Sequence, residues 1–254
     1  NYERKKISKS LKHGIFCENL KDIDLHPDYW RFYSTYLIPE TKDTDFLWQE
    51  FKERINSELV DNIGNLLNRT LSFTKSKFKG TLPKTEVDKE FLTTINKEVT
   101  NTLQLLEKVK LREALENILK ISNLTNQYFQ KQEPWKTNDP KTTLTCLNAC
   151  EKIALLLKPF IPKKAKEMLN LLNSKQKDYK NILKHNIKPE HTIREPKILF
   201  HKLEDKTIED LKQKTSKVTE YFKKNMAEGI INHTSIEDFQ KLDIRVGTIK
   251  EVKD

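Results

Sequence analysis

The sequence predicts a mainly α-helical protein: an antiparallel helical bundle preceded by a small mixed α/β segment. Three observations lead there. Apolar residues recur every three or four positions over long stretches. Prolines and glycines stand at the ends of those stretches, where helices start and stop. Only five glycines occur in 254 residues, too few for a protein built of tight β turns. Hydrophobic residues make up 36% and charged residues 33%, a balance that suits helices burying one stripe and solvating the rest.

Residues 1–45 read as loop-rich and mixed, with Gly14-Ile15-Phe16 as a short strand or turn. An aromatic helix opens at Asp28-Tyr29-Trp30-Arg31-Phe32-Tyr33 behind Pro27 and stops at Pro39, since proline favours the first helical turn and ends a helix elsewhere. From Phe46 to Phe78 the pattern is helical, with Phe51, Ile55, Leu59, Ile63, Leu66, Leu67 and Leu71 inward and Gly80 and Pro83 closing it. A second bundle helix follows Thr85 and Glu86, with Phe91, Ile95, Val99, Leu103 and Leu106 inward. The third runs from Leu111 to Phe129 on Leu115, Ile118, Leu119 and Leu124 until Pro134 breaks it. Thr142–Leu157 and Lys163–Leu172 give a fourth and a fifth, separated by Pro159 and Pro162. Residues 174–203 read as irregular and lysine-rich. Ile208–Phe222 reads as a charged, solvated connector helix, and Asp243–Ile249 alternates like a β-strand after a helix-entry signal at Ser235. A single strand is not stable alone, so it is expected either to pair elsewhere or to open a further domain.

Composition narrows the function classes. No G-x-G-x-x-G or Walker-type loop is present, which excludes a glycine-based nucleotide fold within these residues. The net charge of +10 favours a polyanionic partner through steering and counterion release; a plain lysine- and asparagine-rich composition accounts for the charge equally well. The three cysteines, Cys17, Cys146 and Cys150, form no C-x-x-C, and Cys146 and Cys150 lie four apart on an apolar helix face, so core packing in a reducing compartment is expected. The six histidines are scattered and none adjoins a cysteine in the chain, so no metal site is expected. No apolar run approaches the roughly 18 residues of a membrane span, and no signal peptide is visible. A chain that begins at Asn1 is expected to have lost its true N-terminus.

Three groups of residues carry candidate chemistry. Lys6-Ile7-Ser8-Lys9-Ser10 sets two lysines and two hydroxyls on one short segment. Such a segment can bring ammonium groups onto a polyphosphate, although lysine–serine pentapeptides are common in basic chains. Asp61, Asn65 and Arg69 fall at i, i+4 and i+8 on one helix face, opposite Ile55, Leu59, Ile63 and Leu66. An amide and a guanidinium so placed suit the edges and faces of unpaired bases; an ordinary solvated face has the same pattern. Trp135, beside Glu133 and Pro134 at a helix end, suits either a cap on the core or a stacking platform.

Taken in order and spacing, these groups resemble a known family. Asn1-Tyr2-Glu3, the Lys6–Ser10 loop, Gly14-Ile15-Phe16, the Pro27–Tyr33 stretch, Asp45-Phe46 and Arg54-Ile55-Asn56-Ser57-Glu58-Leu59-Val60 resemble class I aminoacyl-tRNA synthetases. More narrowly, they look like cytosolic-type methionyl-tRNA synthetases from their Lys-Met-Ser-Lys-Ser loop onward, with Ile7 in place of Met or Phe. The resemblance implies that Lys9 contacts ATP phosphates, supported by Lys6, Ser8 and Ser10 as the catalytic-loop set. It implies that Asn65 and Arg69 read anticodon bases. Asp61 stands where the family usually has Asn. Trp135 is expected to stack on a splayed anticodon base, with Asn126 and Tyr128 shaping the pocket. Asp238-Phe239, Leu242-Asp243 and Ile244-Arg245-Val246-Gly247 resemble the opening of a tRNA-binding OB-fold module.

The organisation so implied is the end of a catalytic domain over 1–45, a helical anticodon-binding domain over 46–203, a charged linker over 204–234 and a truncated OB-fold start over 235–254. The activity implied for the whole enzyme is ATP-dependent joining of methionine to its tRNA through methionyl-adenylate, with Mg²⁺. Its partners would be methionine and initiator tRNA, and its setting the cytoplasm. The His-Ile-Gly-His motif and the Rossmann part lie outside these residues, so the chain alone is expected to bind tRNA without charging it. Two other readings stay open at this point: a stand-alone, non-catalytic tRNA-binding protein, and another class I synthetase with the same bundle.

Overall fold

The computed structural model describes residues 1–9, 13–17, 20, 23–40, 43–176, 178–179 and 181–215. Its helices are α1 (Pro27–Tyr36), α2 (Trp48–Arg54), a π-helical segment (Ile55–Gly64), α3 (Asn65–Phe78), α4 (Lys89–Glu107), α5 (Leu111–Gln132), α6 (Pro134–Thr137), α7 (Pro140–Leu157) and α8 (Pro162–Leu171). Residues 205–215 form a further helix, α9. Among the described residues the β structure is limited to isolated bridges, Tyr2 with Lys5 and Phe46, Ser8 with His13, and Thr81 with Thr192. The Gly14–Phe16 stretch is irregular.

The helix read as continuous from Phe46 to Phe78 is continuous from Trp48, but its middle is π-helical. The apolar stripe explains how the two forms combine. Ile55, Leu59, Ile63, Leu67 and Leu71 are spaced by four, and all are buried. On an α-helix such a stripe drifts forward by about 40° per step. The wider π turn drifts it backward, so the two halves cancel and one face stays on the core. Lys79 in the left-handed region (φ 53°) and Gly80 (φ 87°) end α3.

α7 lies at the centre, packed against α3, α4, α5 and α8. Every residue from Thr142 to Leu157 is buried, so this helix has no solvent face. Asp139 caps it by accepting from the backbone N–H groups of Lys141 and Thr142. Two charges inside it are satisfied by the irregular segment that follows α8. Glu151 accepts from the Ser174 hydroxyl and pairs with His185 Nδ1 at 2.9 Å. Lys152 Nζ donates to the carbonyls of Ile182 and His185.

Several boundaries differ from the sequence reading. α5 continues to Gln132, and Glu133 turns the chain in the left-handed region (φ 44°), so Pro134 starts α6 rather than only breaking α5. In α4 the buried residues are Leu92, Ile95, Val99 and Thr102; Phe91, Leu103 and Leu106 pack at the margin of the core. The start of the expected charged linker is no solvated connector. α9 buries Ile208, Leu211 and Thr215 in the core, and Asp205 pairs with Lys52. The expected strand Asp243–Ile249 and the rest of 216–254 lie outside the described residues.

Candidate nucleic-acid interface

Two candidate sites lie along the long α2–π–α3 helix, one at its start and one in α3. At its start, the N-terminal residues are sewn to α2. Glu3 Oε1 accepts from the Trp48 N–H, Trp48 Nε1 donates to the Tyr2 hydroxyl at 2.8 Å, and Asp45 Oδ2 accepts from the Arg4 N–H. Beyond this anchor Ser8 and His13 exchange both backbone hydrogen bonds at 2.9 Å. Lys6 and Lys9 are exposed. Ser10 lies outside the described residues.

Further along, the crest of α3 meets the end of α5. Arg69 stands 21 positions after Trp48, roughly 25–30 Å along the helix. The Arg69 guanidinium lies 4.9 Å from the Phe129 ring centroid and 5.9 Å from that of Trp135, and its Nη2 donates to Gln130 Oε1 at 2.9 Å. The rings of Trp135 and Phe129 are 5.9 Å apart and inclined at 42°. Trp135 is 37% exposed, so it closes the end of the bundle with one part and offers the rest to solvent. Asn65 and Asp61 are exposed on the same crest. The structure therefore brings Asn65, Arg69 and Trp135 into one neighbourhood, with Asp61 turned to Lys202 at 3.1 Å.

Two residues that the sequence reading grouped with Trp135 part company. Asn126 Nδ2 donates to the Asn62 carbonyl at 3.1 Å, and Asn62 Nδ2 reaches the Leu119 carbonyl. These bonds fix the π segment to α5 beneath the crest. Tyr128 points the other way: its hydroxyl bonds Asp88 and its ring stacks on Phe91 at 3.9 Å. Burial raises the Tyr128 pKa, and the Phe91 N–H followed by the Tyr128 hydroxyl lowers that of Asp88. Phe129, Gln130 and Asn62 were not singled out from the sequence. The one signal for Asn62 was a polar residue interrupting an apolar stripe.

Among the described residues no cluster of His, Cys, Asp or Glu suits a metal ion, and no helix is long and apolar enough to cross a membrane. The family model for class I tRNA synthetases (M) matches residues 1–71, which sets the class. Residues 80–220, more than half the chain, match the model for the anticodon binding domain of methionyl tRNA ligase, and the chain belongs to that family. The methionine–tRNA ligase of Nanoarchaeum equitans is 43% identical over 226 residues, 87% of this chain and 28% of the relative. That of Borrelia turicatae is 37% identical over 222 residues, 85% of this chain and 30% of the relative. The chain thus spans less than a third of the length of these relatives. A Mycobacterium tuberculosis methionyl-tRNA synthetase in its free state shares the fold, with a TM-score of 0.65 at 22% identity over 70% of this chain and 39% of the other. A structure of that enzyme bound by methionyl-adenylate gives the same score.

Proposed function

We propose that this chain supplies the anticodon-reading bundle and the ATP-phosphate loop of a methionine–tRNA ligase. The observation that carries the reading is the Arg69 guanidinium set against the exposed Trp135 and Phe129 rings, with Asn65 on the same crest. An indole and a guanidinium grip the faces of splayed bases, and an amide meets their hydrogen-bonding edges. The ligand is the anticodon loop of methionine tRNA, elongator or initiator. Residues 1–45 then close a catalytic domain, 46–203 form the anticodon-binding unit, and 235–254 open a tRNA-binding OB-fold module.

In this reading Lys9, backed by Lys6, Ser8 and Ser10, meets the triphosphate of ATP and stabilises the charge that builds on pyrophosphate as methionyl-adenylate forms. Mg²⁺ accompanies the nucleotide outside this chain; no step carried by these residues passes through it. The setting we assign is the cytoplasm.

Replacing Arg69 by Gln tests the reading. Binding of a methionine tRNA transcript should weaken by about 1–3 kcal/mol, measured by filter binding, while a transcript with a different anticodon changes less. An equal loss for both transcripts reduces Arg69 to a phosphate contact and removes the anticodon assignment.

A further inference from the structure

The crest of α3 has a second flank. Residues 194–203 run as an extended arm beside the junction of the π segment and α3. The arm is fastened at several points. Asn56 bonds the Leu203 backbone twice, through its Nδ2 to the carbonyl at 2.9 Å and its Oδ1 to the N–H at 2.8 Å. The His201 N–H donates to the Tyr29 hydroxyl at 3.0 Å, and Lys202 pairs with Asp61. The Phe200 ring comes so near Gly64 that a Cβ there would stand 3.2 Å from it. Between arm and crest is a cavity of about 380 Å³ lined by Val60, Asp61, Gly64, Asn65, Asn68 and the Ile198–Phe200 stretch.

Ile198 is the anomaly. Its side chain is 63% exposed on a segment whose next two residues are buried, and it lines this cavity together with Asn65 and Asn68. Of the cations on the arm, Lys197 pairs with Glu167 and Lys202 with Asp61. An apolar side chain to lie against and two amides to bond its edge suit an unpaired base. The cavity shares Asn65 with the Arg69–Trp135 cradle but lies on the other side of the crest.

We propose that this cavity is a second nucleobase pocket, taking another base of the same RNA loop that Trp135 and Arg69 grip. Ile198 lies against the base face, and Asn68 with Asn65 reads its edge. Asp61 is a positioning residue: through Lys202 it ties the arm to the crest and does not read a base. The inference rests on the proposed RNA-binding function.

The test is a coupling matrix. Ile198→Ser, Asn68→Ala and Trp135→Ala chains are each titrated with synthetic methionine anticodon stem-loops in which one loop base at a time is removed. Ile198→Ser and Asn68→Ala should each weaken the intact stem-loop three- to tenfold, and the loss should disappear with one abasic position. That position should differ from the one coupled to Trp135. Asp61→Asn should lower affinity without coupling to any single base, and Asp61→Lys combined with Lys202→Asp should restore it. Coupling of Ile198 and Asn68 to no base, or to the same base as Trp135, overturns the second pocket while leaving the first. If Trp135→Ala also leaves affinity unchanged, the RNA reading fails and this inference with it. Ile198 and Asn68 are exposed, and unchanged melting temperatures separate loss of contact from loss of fold.

Discussion

Arg69 shows what a residue gains from its surroundings. On its helix it is one polar side chain among several; held by Gln130 and flanked by Phe129 and Trp135, it becomes a pre-oriented plane. The sequence placed Asn65 and Arg69 on one face by spacing alone. It did not supply Phe129 and Gln130, about sixty residues away in the chain, because no local periodicity reports which helices become neighbours. Asp61 was singled out by position in a row, whereas its pairing with Lys202 depends on the path of an irregular arm that has no periodicity to read. The cysteines were more legible. Cys146 and Cys150 are buried and Cys17 exposed; burial pushes the Cys150 thiol up to about 12 and raises Cys146 as well. A thiol reagent at pH 8 should therefore titrate one of three cysteines in the native chain and all three after denaturation. Rapid reaction of two or more in the native state would show that α7 is less enclosed than described.

Among the elements, the π segment matters most for position. It keeps a four-spaced stripe on the core and sets where Asn65 and Arg69 emerge. Gly64 ends it under a close constraint. A Cβ there would stand 2.8 Å from the Leu59 carbonyl oxygen as well as against Phe200. In an ordinary helix, replacing glycine by alanine gains about 0.5–1 kcal/mol. Here the sign should reverse: Gly64→Ala should cost about 1–3 kcal/mol by overpacking, read as a lower urea midpoint. A gain in stability would mean the arm is loosely held. The helical period was legible across this stretch, since both helix forms put an apolar residue inward about every fourth position. The choice between them was not, because it follows from Asn62 reaching the Leu119 carbonyl and from what α5 can accommodate. Likewise α6 was hidden: a four-residue turn after a left-handed Glu133 leaves no repeat to detect.

Across the whole molecule, burial of ionisable groups sets a pH profile. Lys152 is 1% exposed, and desolvation lowers its pKa to about 8, against a smaller opposing effect of Glu151. The unfolded chain holds that proton up to the ordinary lysine range near 10.4. Between those values the unfolded state binds more protons, so stability rises with pH. Above about pH 10 the trend turns. Tyr33, Tyr36 and Tyr128 are kept neutral by burial, while in the unfolded chain they ionise near 10, which favours unfolding. The melting temperature should climb from pH 8 toward 10 and fall beyond it. The climb should be absent in Lys152→Met, and a wild-type profile flat through that window would show that the ammonium is well solvated where it sits.

By itself the sequence determined that the chain is a helical bundle, where most helices begin and end, and which family its loop, crest and indole resemble. Those properties are local: periodicity, capping and short motifs are written in adjacent residues. Packing alone decided that α7 is buried on every side, that residues 205–215 dock on the core, and that Asn65 is flanked by a stacked arginine on one side and a fastened arm on the other. Contacts between residues more than a hundred positions apart, such as Asn56 with Leu203, exist only once the core has brought them together.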